Sequence, residues 1–262
     1  MLVGLFFSMI SEQSQHIKLE VCANSATSAI AAQEGGAIRV ELCENLAEGG
    51  TTPSIGQILQ ARKHLNIQLY VLIRPRRGDF LYSDLEFEIM KADVISCADA
   101  GCDGVVIGML NPYGSIDKER CKELVDLATH RGLGVTFHRA FDMCNDQLQA
   151  LEDIIDIGCE RILTSGGKTT AMEGATHLAS LVDKAAGRIT IMAGSGVTES
   201  NVADLVHFTK VTEVHSSARS SIKSGMQYKN DHILMSVGMA DEFSLDFTDA
   251  EKVRRILAEA NK

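Results

Sequence analysis

The sequence predicts an α/β fold in which a parallel sheet closes into a barrel, and three observations support this. Eight short apolar runs recur along the 262 residues, with starts 20 to 36 residues apart. The gaps between the runs are long enough for helices, which is typical of alternating strand–helix units. Eight such units close a barrel, and no linker-like stretch interrupts them. We therefore predict one domain, a TIM-type (β/α)8 barrel.

The eight runs are rich in aliphatic residues, as expected of parallel strands that are buried on both faces. A glycine precedes several of them, where it can end a helix in the left-handed conformation. The competing fold is an open doubly wound sheet, but no G-x-G-x-x-G follows the first strand. The predicted strands span residues 17–22, 37–43, 67–74, 103–108, 133–138, 160–164, 188–193 and 211–215.

The helices between the runs are indicated by apolar periodicity and by capping residues. Periodicity is clear over residues 85–100 and 148–157. Three helix starts are predicted: an N-cap with proline at the first helical position at Thr52-Pro53, and capping boxes at Ser83 with Glu86 and at Thr248 with Glu251.

Two segments fall outside the barrel pattern. Residues 1–16 form an N-terminal extension that can be disordered; its apolar start lacks the basic flank of a signal peptide and is too short to span a bilayer. Residues 17–262 make up the barrel and end in a helix over 248–260. Before that helix, the irregular segment 220–247 is expected either to replace the usual eighth helix or to contribute to an oligomer interface.

Composition limits the class of partner. The net charge of −10 argues against nucleic acid. The seven cysteines are an odd number without the spacing of a disulfide framework, which indicates free thiols in a reducing compartment. We expect a cytoplasmic protein that binds a small molecule or ion, with no nucleic acid or membrane partner, and with a homo-oligomer as an open alternative.

Polar residues collect at the carboxyl ends of the predicted strands, which is where barrels of this kind hold their sites. Glu20 and Glu41 would share the barrel interior, and burying unpaired carboxylates is costly. Arg74 could neutralise one of them and His138 or Arg139 the other. One interpretation is a catalytic set of Glu20, Glu41, Arg74 and His138 with split pKa values; the other is an ion-pair network that braces the mouth.

A second pattern is the repeated carboxylate-x-thiol triplet that ends with Cys22 and Cys43. On adjacent strands the two thiols would lie at matched levels, about 5 Å apart at the backbone. Paired thiolates suit Cu(I), a soft ion. Zinc would need further ligands, and His138 and His215 are expected to lie too far round the ring. Cys144 could add a third sulfur, and the alternative is that Cys22 and Cys43 only pack.

Loops rich in glycine, serine and arginine predict an anion site, because the loops after strands seven and eight often bind phosphate. The alternatives are tight turns that bind nothing and salt bridges that hold the loops down. The candidate anion-binding residues are Arg76, Asp79, Arg139, Asp142, Ser165, Gly194, Gly196, His215 and Arg219.

Taken together, residues 17 to 230 resemble the CutC family. The segments that carry the resemblance include Leu19-Glu20-Val21-Cys22, Val40-Glu41-Leu42-Cys43, Gly49-Gly50-Thr51-Thr52-Pro53, Ile73-Arg74-Pro75-Arg76, Phe137-His138-Arg139-Ala140-Phe141-Asp142 and His215-Ser216-Ser217-Ala218-Arg219. The resemblance implies a TIM-type barrel, a cytoplasmic protein, a role in copper homeostasis, and Cys22 and Cys43 as Cu(I) ligands.

Two functional hypotheses follow from the sequence. The first is a copper homeostasis protein that binds Cu(I) through Cys22 and Cys43. The second is a barrel enzyme of unknown reaction that acts on a small anionic or phosphorylated metabolite, with Glu20, Glu41 and His138 as acid/base groups and Arg74 as an anion clamp.

Overall fold

The protein was analysed as a computed structural model, which describes residues 16–230, 232–233 and 241–262. Eight parallel strands form a closed barrel in chain order, so the predicted fold is confirmed. The strands are β1 (Lys18–Ala23), β2 (Arg39–Leu42), β3 (Gln68–Leu72), β4 (Gly104–Ile107), β5 (Gly134–Phe137), β6 (Arg161–Thr164), β7 (Thr190–Ala193) and β8 (Glu213–Ser216).

Helices alternate with these strands and pack around the barrel. They are α1 (Ala26–Glu34), α2 (Ile55–His64), α3 (Asp84–Asp99), α4 (Lys118–His130), α5 (Gln147–Ile157), α6 (Ala175–Ala185), α7 (Val202–Thr209) and α8 (Ala250–Ala260). None of these described helices combines the length and the apolar character that a bilayer span requires.

The helix starts agree only partly with prediction. The capping box of Ser83 and Glu86 is present at α3. The predicted start at Thr52-Pro53 is wrong, since Ser54 caps α2. Thr52 is held against the end of β3 instead, because its N–H donates to the carbonyl of Arg74 and its hydroxyl accepts from the Arg74 N–H.

The chain end also differs from expectation. Asp249 caps α8, and Thr248 closes a strand, where its N–H donates to the Ser28 hydroxyl. The segment expected to be irregular contains two antiparallel strands, β9 (Arg219–Lys223) and β10 (Ser244–Thr248). Because α8 packs between α1 and α7, it is the eighth helix of the ring, and the segment does not replace it.

The predicted extension over residues 1–16 lies outside the described residues except for His16.

Side-chain alternation along the strands sorts residues into two cores. Leu19, Val21, Val40 and Leu42 belong to the large apolar core that lies between strands and helices. The residues between them point into the barrel, where few aliphatic side chains are found. The small apolar cluster inside consists of Cys22, Cys43, Tyr70, Leu72 and Val106. Buried polar and charged side chains occupy many of the other interior positions, among them Glu20, Arg39, Glu41, Arg161, Glu213 and His215, and they position the candidate site.

Candidate metal centre at the barrel mouth

Closure of the barrel brings together residues that are distant in sequence. Because β8 pairs with β1, His215 lies beside Glu20 in the ladder. Ligand atoms of Cys22, Glu41 and His215 all lie within 4.8 Å of one another, and all three residues are buried. The expectation that His215 lies too far round the ring is therefore wrong, since the ring closes on the strand that carries Cys22.

The two predicted thiols meet inside the barrel. The Sγ atoms of Cys22 and Cys43 are 3.5 Å apart. They do not lie at matched levels, however, because Cys22 pairs with Glu41 in the register and Cys43 follows the end of β2. Gly50 closes the space beside Cys43: its φ of +86° suits glycine, and a Cβ there would lie 2.8 Å from Leu72.

The two glutamates have opposite electrostatic environments. Burial alone would raise the pKa of Glu20, but the charge of Arg39 and a hydrogen bond with His215 lower it to about 2. The Nδ1 of His215 lies 2.8 Å from Glu20 and its Nε2 lies 3.5 Å from Glu41. Burial and the nearby charge of Glu20 raise the pKa of Glu41. The predicted splitting of the two pKa values is therefore present, and His215 bridges the pair.

The Cys22 thiol and the His215 imidazole, which lie in the same group, also have shifted pKa values. The hydrogen bond with Cys43 and then burial hold the pKa of Cys22 well above its usual range. Burial lowers the pKa of His215, but its contacts with Cys22, Glu20 and Glu41 outweigh burial and raise it well above the ordinary value. Near pH 7, these shifts keep both the Cys22 thiol and the His215 imidazole protonated.

Arg74 and His138 do not neutralise the glutamates as predicted. Arg74 is 5% exposed, and its guanidinium donates to the carbonyls of Glu48, Gly50 and Gly78. His138 accepts a hydrogen bond at Nδ1 from the N–H of Ala140, 3.1 Å away. Burial and the charge of Arg74 lower the pKa of His138 to about 3, so the ring is neutral near pH 7.

A cavity of about 140 Å³ opens above these residues. Its polar lining consists of Cys22, Glu41, Cys43, Arg74, His138, Arg139 and His215. Its apolar lining includes the side chains of Leu46, Leu72, Phe80 and Leu163. We call this space the mouth cavity.

The predicted anion-binding residues separate into groups. A larger cavity of about 530 Å³ lies between the loops after β7 and β8, and Arg139, Gly196, His215 and Arg219 line it. The other five candidates do not line either cavity: Arg76, Asp79, Asp142, Ser165 and Gly194.

Ion pairs account for several of these five candidates. Arg76 pairs with Asp79 at 3.0 Å and with Glu86 at 2.6 Å. Asp142 pairs with Arg139 at 2.7 Å and accepts from the Ser165 N–H. These contacts favour the alternative in which salt bridges hold the loops down.

Cys144 is also apart from the thiol pair. It lines a separate surface depression with Asp142 and Gln147, and its thiol donates to the carbonyl of Ala140. All seven cysteines are free thiols, as predicted.

Sequence reasoning missed a second polar level, nearer the amino ends of the strands. Arg39 contacts both Glu20 and Glu213, and Arg161 donates to Glu213 at 2.7 Å. We call Glu20, Arg39, Arg161 and Glu213 the base layer. We call Cys22, Glu41, Cys43, Arg74 and His138 the mouth layer. The sequence contained a signal for this level, since Glu20, Arg39 and Glu213 each interrupt an apolar run.

Comparison with known proteins identifies the family. The model of the CutC family matches residues 17–220. The chain belongs to the CutC family. A CutC family protein of Chromobacterium violaceum is 50% identical over 238 residues, which are 91% of this chain and 96% of that protein.

Animal relatives and a solved structure agree with this assignment. The mouse copper homeostasis protein cutC homolog is 48% identical over 92% of this chain and 88% of its own length. The crystal structure described as the copper homeostasis protein CutC of Streptococcus agalactiae superposes with a TM-score of 0.73 at 37% identity. That comparison covers 77% of this chain and 98% of the other.

Proposed function

We propose that this protein handles copper in the cytoplasm by binding Cu(I) between Cys22 and Cys43. The observation that carries the proposal is the 3.5 Å separation of the two buried Sγ atoms. Thiolates are the ligands that Cu(I) prefers, and two of them at this distance can share one ion. The names of the animal relatives support a link to copper, and seven free cysteines support a reducing compartment.

The neighbouring groups suit the exchange of a proton for a metal ion. A thiol must lose its proton to become a ligand, so Cu(I) binding releases protons. Glu41 is the buried carboxyl group within 4.8 Å of Cys22 that can accept this proton, since the neighbouring imidazole of His215 is already protonated. Because the pKa of Cys22 is raised, Cu(I) affinity should increase with pH.

The test is a titration of reduced, metal-free protein with Cu(I) against a competing chelator. The double variant Cys22→Ser with Cys43→Ser should lose binding, because both sulfur ligands are gone. Cys144→Ser is the matched control, since this thiol lines a separate depression; it should bind Cu(I) like the native chain. Undiminished affinity in a folded double variant would refute the proposal.

A second candidate function, small-molecule catalysis, is favoured by the split pKa values of Glu20 and Glu41. Paired carboxylates whose surroundings push their pKa values apart are typical of acid/base sites. In this case Glu41, with its raised pKa, would be the general acid. A metabolite screen for turnover that Glu41→Gln abolishes is the test, and turnover unchanged in that variant would count against the assignment.

A further inference from the structure

His215 has the surroundings that are typical of a metal-binding histidine. Its Nδ1 lies 2.8 Å from a carboxylate oxygen of Glu20, which accepts the Nδ1 proton. Arg39 contacts the same carboxylate and holds it in place. Histidines that bind metals usually donate their other ring N–H to a carboxylate in this way. Glu20 therefore keeps the proton on Nδ1, and Nε2 is the nitrogen that a metal ion can reach.

Two further ligand atoms lie near this nitrogen. The Nε2 of His215 is 3.5 Å from Oε2 of Glu41. Cys22 pairs with Glu41 across β1 and β2, and one ligand atom from each of the three residues lies within 4.8 Å of the other two. In a tetrahedral zinc site with bonds of about 2.0–2.3 Å, ligand atoms are roughly 3.3–3.6 Å apart. Side-chain movements of about 1 Å would therefore complete the geometry.

The donor atoms of this group suit zinc better than copper. Sulfur, imidazole nitrogen and carboxylate oxygen are the three ligand types that Zn²⁺ accepts, whereas Cu(I) favours sulfur, and magnesium and calcium favour oxygen. A Cys22 thiolate and a Glu41 carboxylate together carry two negative charges, which balance the charge of Zn²⁺. Three protein ligands leave a fourth position open, as in zinc sites that also bind water.

Cys43 lies to one side of this group. Among the described residues, the ligand atoms that all lie within 4.8 Å of one another come from Cys22, Glu41 and His215, without Cys43. The Cys43 thiol instead contacts the carbonyl oxygen of Ala23 at 3.7 Å, to which it can donate its proton. Cys22 is therefore the one residue that the zinc group and the proposed Cu(I) pair have in common.

We infer that Cys22, Glu41 and His215 form a zinc site whose fourth position opens into the mouth cavity. All three residues line that cavity, and they are 8%, 5% and 8% exposed in that order, so an ion can reach them. Binding of Zn²⁺ displaces the thiol proton of Cys22 and the Nε2 proton of His215 to solvent. The zinc site does not rest on the copper proposal, although the shared thiol makes the two ions compete.

The first experiment titrates the reduced, metal-free chain with Zn²⁺ against a competing chelator. We expect one zinc ion per chain. Glu41→Gln removes a ligand, so it should weaken zinc binding by more than the roughly hundredfold that loss of an outer carboxylate can cause. Glu44→Gln is the matched control, because this carboxylate accepts from the Ser54 N–H and lies outside the group. Equal zinc affinities in the two variants, or no stoichiometric binding to the native chain, would overturn the inference.

A crossed comparison with Cu(I) separates this site from the copper pair. Cys43→Ser should keep the native zinc affinity and lose Cu(I), whereas Glu41→Gln should lose zinc and keep Cu(I). Loss of zinc in Cys43→Ser to the same extent as in Glu41→Gln would overturn the three-residue assignment. Zinc binding that follows this pattern in a chain that does not bind Cu(I) would support the zinc site and refute only the copper proposal.

A spectroscopic measurement on the native chain does not depend on the folding of any variant. X-ray absorption of the zinc-loaded chain should show one sulfur at about 2.3 Å from the metal, with nitrogen and oxygen ligands at about 2.0–2.2 Å. Because Cys43 lies outside the group, a second sulfur should be absent from the zinc. A zinc ion with two sulfur ligands, or with none, would overturn the assignment.

Discussion

The base layer and the mouth layer lie one above the other inside the same barrel, but they differ in how their buried polar groups are paired. In the base layer every charge has a partner: Arg39 contacts Glu20 and Glu213, and Arg161 contacts Glu213. In the mouth layer, Arg74 and His138 each keep a donor that has no acceptor among the described residues, and the pKa of Glu41 is raised. Paired charges specify a structure, whereas unpaired ones are suited to ligands.

One residue, His215, contacts both layers. His215 contacts Glu20 in the base layer at 2.8 Å and Glu41 in the mouth layer at 3.5 Å. A ligand that changes the protonation of the mouth layer is therefore linked through one imidazole to the network that closes the barrel.

The largest expected effect comes from removing the central cation of the base layer. Arg39→Met leaves Glu20 and Glu213 without their shared partner, and the free energy of unfolding should fall by about 3–5 kcal/mol. Urea unfolding of the two chains is the measurement. A change below about 1 kcal/mol, the value typical of an exposed pair, would show that the base layer does not stabilise the fold.

Acid should destabilise the fold by protonating Glu20 in the base layer. Its pKa is lowered from the ordinary 4.5 to about 2, so its contribution is complete above pH 4.5 and is lost as the pH falls toward 2. At about 1.4 kcal/mol per pKa unit, the loss amounts to roughly 3 kcal/mol. Urea unfolding between pH 6 and about pH 3 tests this, and stability that does not decrease below pH 4.5 would contradict it.

Substitution of His215 should weaken Cu(I) binding more than it lowers the stability of the fold. His215→Gln removes the imidazole beside Cys22, and Cu(I) affinity should fall about tenfold to a hundredfold, as it does when metal-site neighbours are removed. Competition with a chelator measures the change, and His207→Gln, on the exposed face of α7, is the control. Equal Cu(I) affinities in the two variants would show that His215 does not contribute to Cu(I) binding.

The smallest expected change in the free energy of unfolding comes from an exposed ion pair. Lys122 and Asp126 form an exposed pair one helical turn apart on α4. Lys122→Ala should cost about 0.3–0.5 kcal/mol, because solvent screens such pairs. Urea unfolding beside Arg39→Met tests whether burial explains the difference; similar losses in both variants would mean that it does not.

The strands and the thiol pair could be predicted because their signals are local. Apolar runs mark buried strands wherever they occur, and adjacent strands bring Cys22 and Cys43 together. The position of His215 could not be predicted in the same way, since it contacts Glu20 from 195 residues away and depends on closure of the ring. The start of α2 was missed for a related reason, because a tertiary hydrogen bond between Thr52 and Arg74 displaced the local cap.

Because β8 closes the barrel against β1, the ribosome synthesises the parts of the candidate metal centre at different times. The ribosome adds about 5–20 residues per second. Both thiols therefore emerge early, whereas the imidazole 195 residues beyond Glu20 follows about 10–40 seconds later. A nascent chain presents two bare thiols without the histidine or the cavity walls. The complete centre belongs to the finished barrel, so a chain truncated before β8 would lack it.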